Sequence, residues 1–126
     1  MIKIENNKKF DLEERTFEFA RKVRNFVKTL SKTLSNFEDS KQVVRSSGSV
    51  GANYIEENES LSKKDFIMRI KISRKEAKES RYWLKLLDTQ DNPAHGKEKQ
   101  VLIQESSELM NILGTILRKV EYKNEF

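Results

Sequence analysis

Apolar residues recur along the chain at helical spacing. In residues 11–35, Phe19, Val23, Phe26 and Leu30 step by four, three and four, and Phe17, Ala20, Val27 and Leu34 widen the stripe. In 62–88 the stripe is Phe66, Ile70, Ser73, Ala77, Ser80, Leu84 and Leu87. In 97–121 it is Leu102, Ser106, Leu109, Leu113, Ile116 and Val120. A period near 3.6 predicts helices and argues against the two-residue alternation of strands. Asn36 is expected to end the first helix, with Asp39 or Ser40 capping the second. Ser62 and Asp65 have the spacing of an N-terminal cap for the third. The stretch 88–96, with Asn92-Pro93 and Gly96, reads as the strongest break in the chain.

Residues 39–60 are the ambiguous segment. "RSSGSVGANYIEENES" holds two of the four glycines. As a helix, it places Val43, Ser47, Val50 and Tyr54 on one stripe, with Val44, Gly51 and Ile55 beside it. Each interior glycine costs about 1 kcal/mol relative to alanine. The alternative, a phosphate-holding loop, lacks its parts. There is no G-x-x-x-x-G-K-[ST] or G-x-G-x-x-G, no apolar strand leads in, and Lys41 and Arg45 precede the glycines. The expectation is a helix whose small residues Gly48, Gly51 and Ala52, with Ala77 on the third helix, let neighbours pack closely. Burial would then offset the poor propensity. Four amphipathic helices with short connections predict an all-α, antiparallel up-down-up-down four-helix bundle. It is expected over residues 10–121, with loose segments at 1–9 and 122–126.

Composition narrows the chemistry. The chain has 126 residues, 36% of them charged, and a formal charge of +5. It has no cysteine, which removes disulfides, thiolate metal sites and cysteine nucleophiles. No stretch approaches the ~18 apolar residues of a membrane span, and the first residues lack a signal-peptide apolar run. A soluble cytoplasmic protein with no membrane association is expected.

The order of residues also carries a resemblance. Arg45-Ser46, Ser49-Val50-Gly51-Ala52-Asn53, Glu56, Phe66, Glu76-Ala77, Glu79 and Tyr82-Trp83-Leu84 resemble the bacterial four helix bundle proteins. That family was first noticed as products of intervening sequences in 23S rRNA genes. The similarity spans about residues 10–88, with a compatible fourth helix after it. It implies an up-down-up-down bundle that assembles as a homopentameric ring and has no established enzymatic activity. Related proteins in diversity-generating retroelements look similar in fold and charge and act with a reverse transcriptase and its RNA.

A histidine-based di-iron or zinc site needs more than the single histidine, His95, which falls in the expected loop. No Ser/His/Asp arrangement is present, and "SGSVG" is not a nucleophile elbow. Glu76 and Glu79 share a helix face, and Glu56 lies on a face with Arg45, Ser49 and Asn53. Two readings compete for these six: an acid/base site, or a polar network fixing register between helices or subunits. The network is favoured, because buried carboxylates need partners, with Arg45 and Arg81 the natural ones. No cofactor, metal or small-molecule substrate is expected, and neither is a ligand-sized pocket with perturbed carboxylates.

Charge is unevenly placed. Residues 63–85 carry nine Lys or Arg against Asp65, Glu76 and Glu79, a net of +6. Residues 15–32 carry six against Glu18, a net of +5. Residues 39–60 are net −2 and residues 97–126 neutral. Lys64, Lys71, Lys78 and Lys85 recur every seven residues and form one helical stripe, with Lys75 and Tyr82 flanking it and Arg74 and Arg81 on the adjacent side. Two readings stand: a solvated face that aids solubility, or contact with RNA or DNA backbone through the first and third helices. Repetition in a homo-oligomer would strengthen such a patch by avidity. Trp83 is expected in a core or subunit contact rather than stacked on a base.

Overall fold

A computed structural model describes the backbone of residues 2–57 and 62–124, and the side chains of 12–56 and 62–121. Four helices follow in order: α1 (Ile2–Thr29), α2 (Leu34–Glu57), α3 (Lys63–Leu86) and α4 (Pro93–Asn124). Among the described residues each helix packs on its sequence neighbours, α1 also meets α4, and no diagonal pair touches. That is the up-down-up-down four-helix bundle. The core is the predicted set of stripes: Phe19, Val23 and Phe26 from α1, Val43 and Val50 from α2, Ile70 and Leu84 from α3, Leu109 and Leu113 from α4.

Helix ends differ from the sequence reading in instructive ways. α1 stops at Thr29, and Asn36 lies inside the first turn of α2. The cap of α2 is Thr33, not Asp39 or Ser40: its Oγ1 accepts from Asn36 N–H at 3.2 Å. Asn36 is instead a buried tie. Its Nδ2 donates to the Ser31 and Asp88 carbonyls, and its Oδ1 accepts from Asp88 N–H. α3 starts as predicted, with Ser62 accepting from Asp65 N–H at 3.1 Å. α4 starts at Pro93, capped by Asn92 Oδ1 on His95 N–H. His95 and Gly96 therefore belong to the first turns of α4 rather than to a loop. The segments expected to be loose have helical backbone from Ile2 and as far as Asn124, with their side chains outside the described residues.

The glycine- and serine-rich segment is helix throughout. Its small side chains serve two neighbours. A Cβ on Gly51 would stand 2.9 Å from Thr16 Oγ1 and 3.2 Å from Thr16 Cβ, so α1 lies against bare backbone there. Towards α3, Ser46, Ser73, Ser80 and Ala77 are all fully buried. Ser73 Oγ donates to the Val50 carbonyl at 2.7 Å, and Ser46 and Ser80 are joined at 2.8 Å. Gly48 is covered by the Arg24 guanidinium rather than by helix backbone. Ala52, expected to pack closely, is exposed in the protomer, because α2 turns that side outward.

Two apolar residues assigned to the α1 core stripe do not join it. Phe17 is exposed, and Leu34 opens α2 with 80% of its surface in solvent.

Candidate nucleic-acid interface

The basic side chains of α1 and α3 have different fates. On α1, Arg15 reaches across to α4, with Nε 2.7 Å from Glu105 and Nη2 2.6 Å from Glu108. Arg21 is held by Glu18 one turn back, and Arg24 donates to the Ala20 carbonyl. The three arginines among the described side chains of α1 are thus engaged within the protomer. Lys22 and Lys28 of α1 and Lys32 in the α1–α2 connection remain exposed and, among the described residues, have no ion pair.

On α3, Lys64, Lys71, Lys78 and Lys85 are all exposed, as the seven-residue spacing requires. Of these only Lys71 has an ion pair among the described residues, to Glu121 at 3.6 Å. Lys71, Arg74, Lys75 and Lys78 rim a hollow of about 200 Å³ between α3 and α4, floored by Met110 and Leu117. Gly114 lets α3 side chains come down at its edge: a Cβ there would stand 3.4 Å from Arg74 Nε and 3.5 Å from Arg118 Nη1. Arg118, unremarked in the sequence, so adds a cation from α4. Arg81 departs from the row; it turns inward and donates to Ser107 Oγ at 3.2 Å. The arrangement presents several ammonium and guanidinium groups around one shallow depression, the geometry suited to phosphate oxygens.

The acidic residues form two ion-paired groups along the α2–α3 edge. Arg45 reaches Glu76 at 3.4 Å and Glu79 at 3.1 Å. Asn53 and Glu56 meet Arg69, not Arg45, at 3.2 and 3.5 Å. Ser49 takes part through its carbonyl, which accepts from Asn53 Nδ2. Arg81, expected as a partner, is absent from both groups. The edge is a polar seam between helices, with Glu76 mostly covered and Arg45 half exposed.

An open groove of about 900 Å³ lies between α1 and α4. Two of its acids, Glu108 and Glu18, are shifted towards ionisation. Hydrogen bonds from Gln104 and then Arg15 hold Glu108 below the usual carboxylate range, and Arg21 does the same for Glu18. A general acid needs the opposite shift. Among the described residues no three acidic or histidine side chains are grouped as a metal site, and no helix is long and apolar enough to cross a membrane. Trp83 packs against the core, and its buried Nε1 has no hydrogen-bond partner.

Comparison with known proteins agrees with the four-helix architecture. No curated protein matches the chain. A solved structure from Bacteroides thetaiotaomicron VPI-5482, described as a protein of unknown function from the S23 ribosomal protein family, superposes with a TM-score of 0.73. It is 32% identical, over 84% of this chain and 97% of its own. The model of the 23S rRNA-intervening sequence proteins matches residues 8–115, and neither comparison names an enzymatic activity. The four-helix architecture and the matched span together place this chain in the 23S rRNA-intervening sequence protein family.

Proposed function

We propose that the protein is a non-enzymatic, self-assembling bundle of the cytoplasm, a homopentamer, that binds RNA or DNA backbone chiefly through α3. The observation that carries the nucleic-acid part is the exposed cation row around the α3–α4 hollow, where Arg74, Lys75 and Lys78 have no ion pair among the described residues. Lys64 and Lys85 extend the row to both ends of the helix, and the free lysines of α1 add a second, weaker strip. No cofactor or small-molecule substrate enters this reading. Recognition is of phosphates, hence salt-sensitive and indifferent to sequence.

Fluorescence anisotropy with heterologous RNA and DNA tests it. Binding should weaken steeply between ~50 and ~200 mM salt. Replacing Lys71, Arg74, Lys75 and Lys78 together by Gln should weaken it more than tenfold and reduce the salt slope by about one per lost phosphate contact. No binding at low salt overturns the nucleic-acid part. It leaves a protein-adaptor reading, favoured by the apolar side chains on the outer faces and tested by capture of a protein partner after nuclease treatment. A monomer at micromolar concentration overturns the assembly part.

A further inference from the structure

Tyr82 stands within the cation row of α3. At 3.6 residues per turn, Lys64, Lys71, Lys75, Lys78, Tyr82 and Lys85 share an arc of roughly 80° on the outward face. Lys78 lies one turn before Tyr82 and Lys85 one turn after. All six side chains are exposed, and Lys75, Lys78 and Lys85 have no ion pair among the described residues. The acids in the middle of α3 turn away from this face, where Arg45 of α2 holds Glu76 and Glu79.

The Tyr82 ring is both open and held. It is 58% exposed. Trp83 meets it edge to face, with ring centroids 5.1 Å apart and planes at 79°. Trp83 is itself packed against the core, so it anchors its neighbour. One such contact covers at most one face of the Tyr82 ring and leaves the other for a planar group. Leu86, one turn further on, is 49% exposed and continues the apolar surface. Solubility calls for lysines, not for an exposed ring and a leucine among them. Phosphates need only the ammonium groups. An aromatic face bracketed by cations fits a nucleotide that offers its phosphates and its base together. Bases present a free face only where they are unpaired.

We propose that the α3 row is a surface for single-stranded nucleic acid, with an unpaired base stacked on Tyr82 and the flanking phosphates on Lys75, Lys78 and Lys85. This rests on the nucleic-acid reading above and selects the strand state, which that reading leaves open. Stacking accepts any base, so recognition stays indifferent to sequence. One comparison sets stacking against charge. Duplex DNA carries the denser phosphate charge, so a surface made of cations alone prefers it. A surface that stacks prefers the single strand.

Fluorescence anisotropy at ~50 mM salt with three labelled probes tests this. The probes are an oligothymidylate of about 20 nucleotides, an abasic strand with as many phosphates, and a duplex of the same length. Oligothymidylate should bind at least about fivefold tighter than the abasic strand, and tighter than the duplex. Tyr82→Ala should remove that margin and leave the abasic and duplex affinities unchanged. Tyr82→Phe, which keeps the ring and lacks the hydroxyl, should retain it. Equal affinity for oligothymidylate and the abasic strand overturns the stacking and leaves the phosphate reading standing. A duplex that binds tighter than oligothymidylate overturns the strand preference. Tyr82→Phe falling as far as Tyr82→Ala makes the hydroxyl a phosphate ligand and overturns the stacking as well. A Tyr82→Ala loss shared equally by all three probes marks a structural role for the ring and overturns the site. No binding of any probe at low salt overturns the nucleic-acid reading itself.

Discussion

Asn36 and Asp88 exchange two hydrogen bonds, with Asn36 Nδ2 donating to the Asp88 carbonyl at 2.9 Å and Asp88 N–H donating to Asn36 Oδ1 at 2.8 Å. A third bond, Asn36 Nδ2 to the Ser31 carbonyl at 3.0 Å, ties the α1–α2 connection into the same knot. One buried amide therefore joins the two connections at this end of the bundle. Asn36→Ala leaves Asp88 N–H without its acceptor and should cost about 1–3 kcal/mol, on the scale of unsatisfied polar groups. Urea unfolding at fixed protein concentration measures it.

The glycines of the bundle should respond differently to alanine. At Gly51 the new Cβ meets Thr16 at 2.9 Å, and the neighbour is a β-branched side chain beside its own backbone, so the helices must part. Gly51→Ala should destabilise by about 1–3 kcal/mol. Thr16→Ala in the same chain should recover part of that loss. At Gly96 nothing stands within 4 Å, so Gly96→Ala should stabilise by up to about 1 kcal/mol through helix propensity. Thermal melts of the variants decide both signs.

Ser46 and Ser80 form one link of a directed chain. Ser80 Oγ donates to the Glu76 carbonyl at 2.8 Å, and its one proton is thereby spent. Ser46 then donates to Ser80, its alternative acceptor being the Val43 carbonyl at 3.5 Å. A double-mutant cycle with Ser46→Ala and Ser80→Ala should give a coupling of about 0.5–1.5 kcal/mol. Purely additive losses contradict the link.

The Arg15 clamp makes a pH prediction. Glu108 is held below its ordinary range by Gln104 and Arg15, so its folded-state pKa lies under the unfolded value. The stabilisation is complete above the unfolded pKa of about 4.3, and is lost as pH falls through the lower folded value. Carboxyl NMR titration should place Glu108 below the usual range, and Arg15→Met should move it back up.

Much of the fold was legible because period survives poor propensity. The α2 helix is the clearest case: its glycines and serines argue for a loop one at a time, while Val43, Ser47, Val50 and Tyr54 keep helical step. The α1–α2 boundary was not legible, since Asn36 reads locally as a helix stop and only Asp88, 52 positions away, shows its use. Phe17 and Leu34 show a second limit. A helix with apolar residues on two faces has one period, and the sequence does not say which face is the core. For the basic patch, spacing found the lysine row, and three-apart acids correctly suggested the Arg45 contact with Glu76 and Glu79. Arg69 as the partner of Asn53 and Glu56, and Arg15 as the partner of Glu105 and Glu108, depend on inter-helix register, which no local pattern encodes.

Among the described residues, the serine-lined seam between α2 and α3 is the most closely joined face of the bundle, and the α1–α4 face is the least. That gradient sets an order in time. A hairpin of consecutive helices closes a short loop at low entropic cost, so α2 and α3 can form the folding nucleus while α1 and α4 dock later. Native amide hydrogen exchange should follow the reverse path, with α1 and α4 opening to solvent well before the amides around Val50 and Ala77.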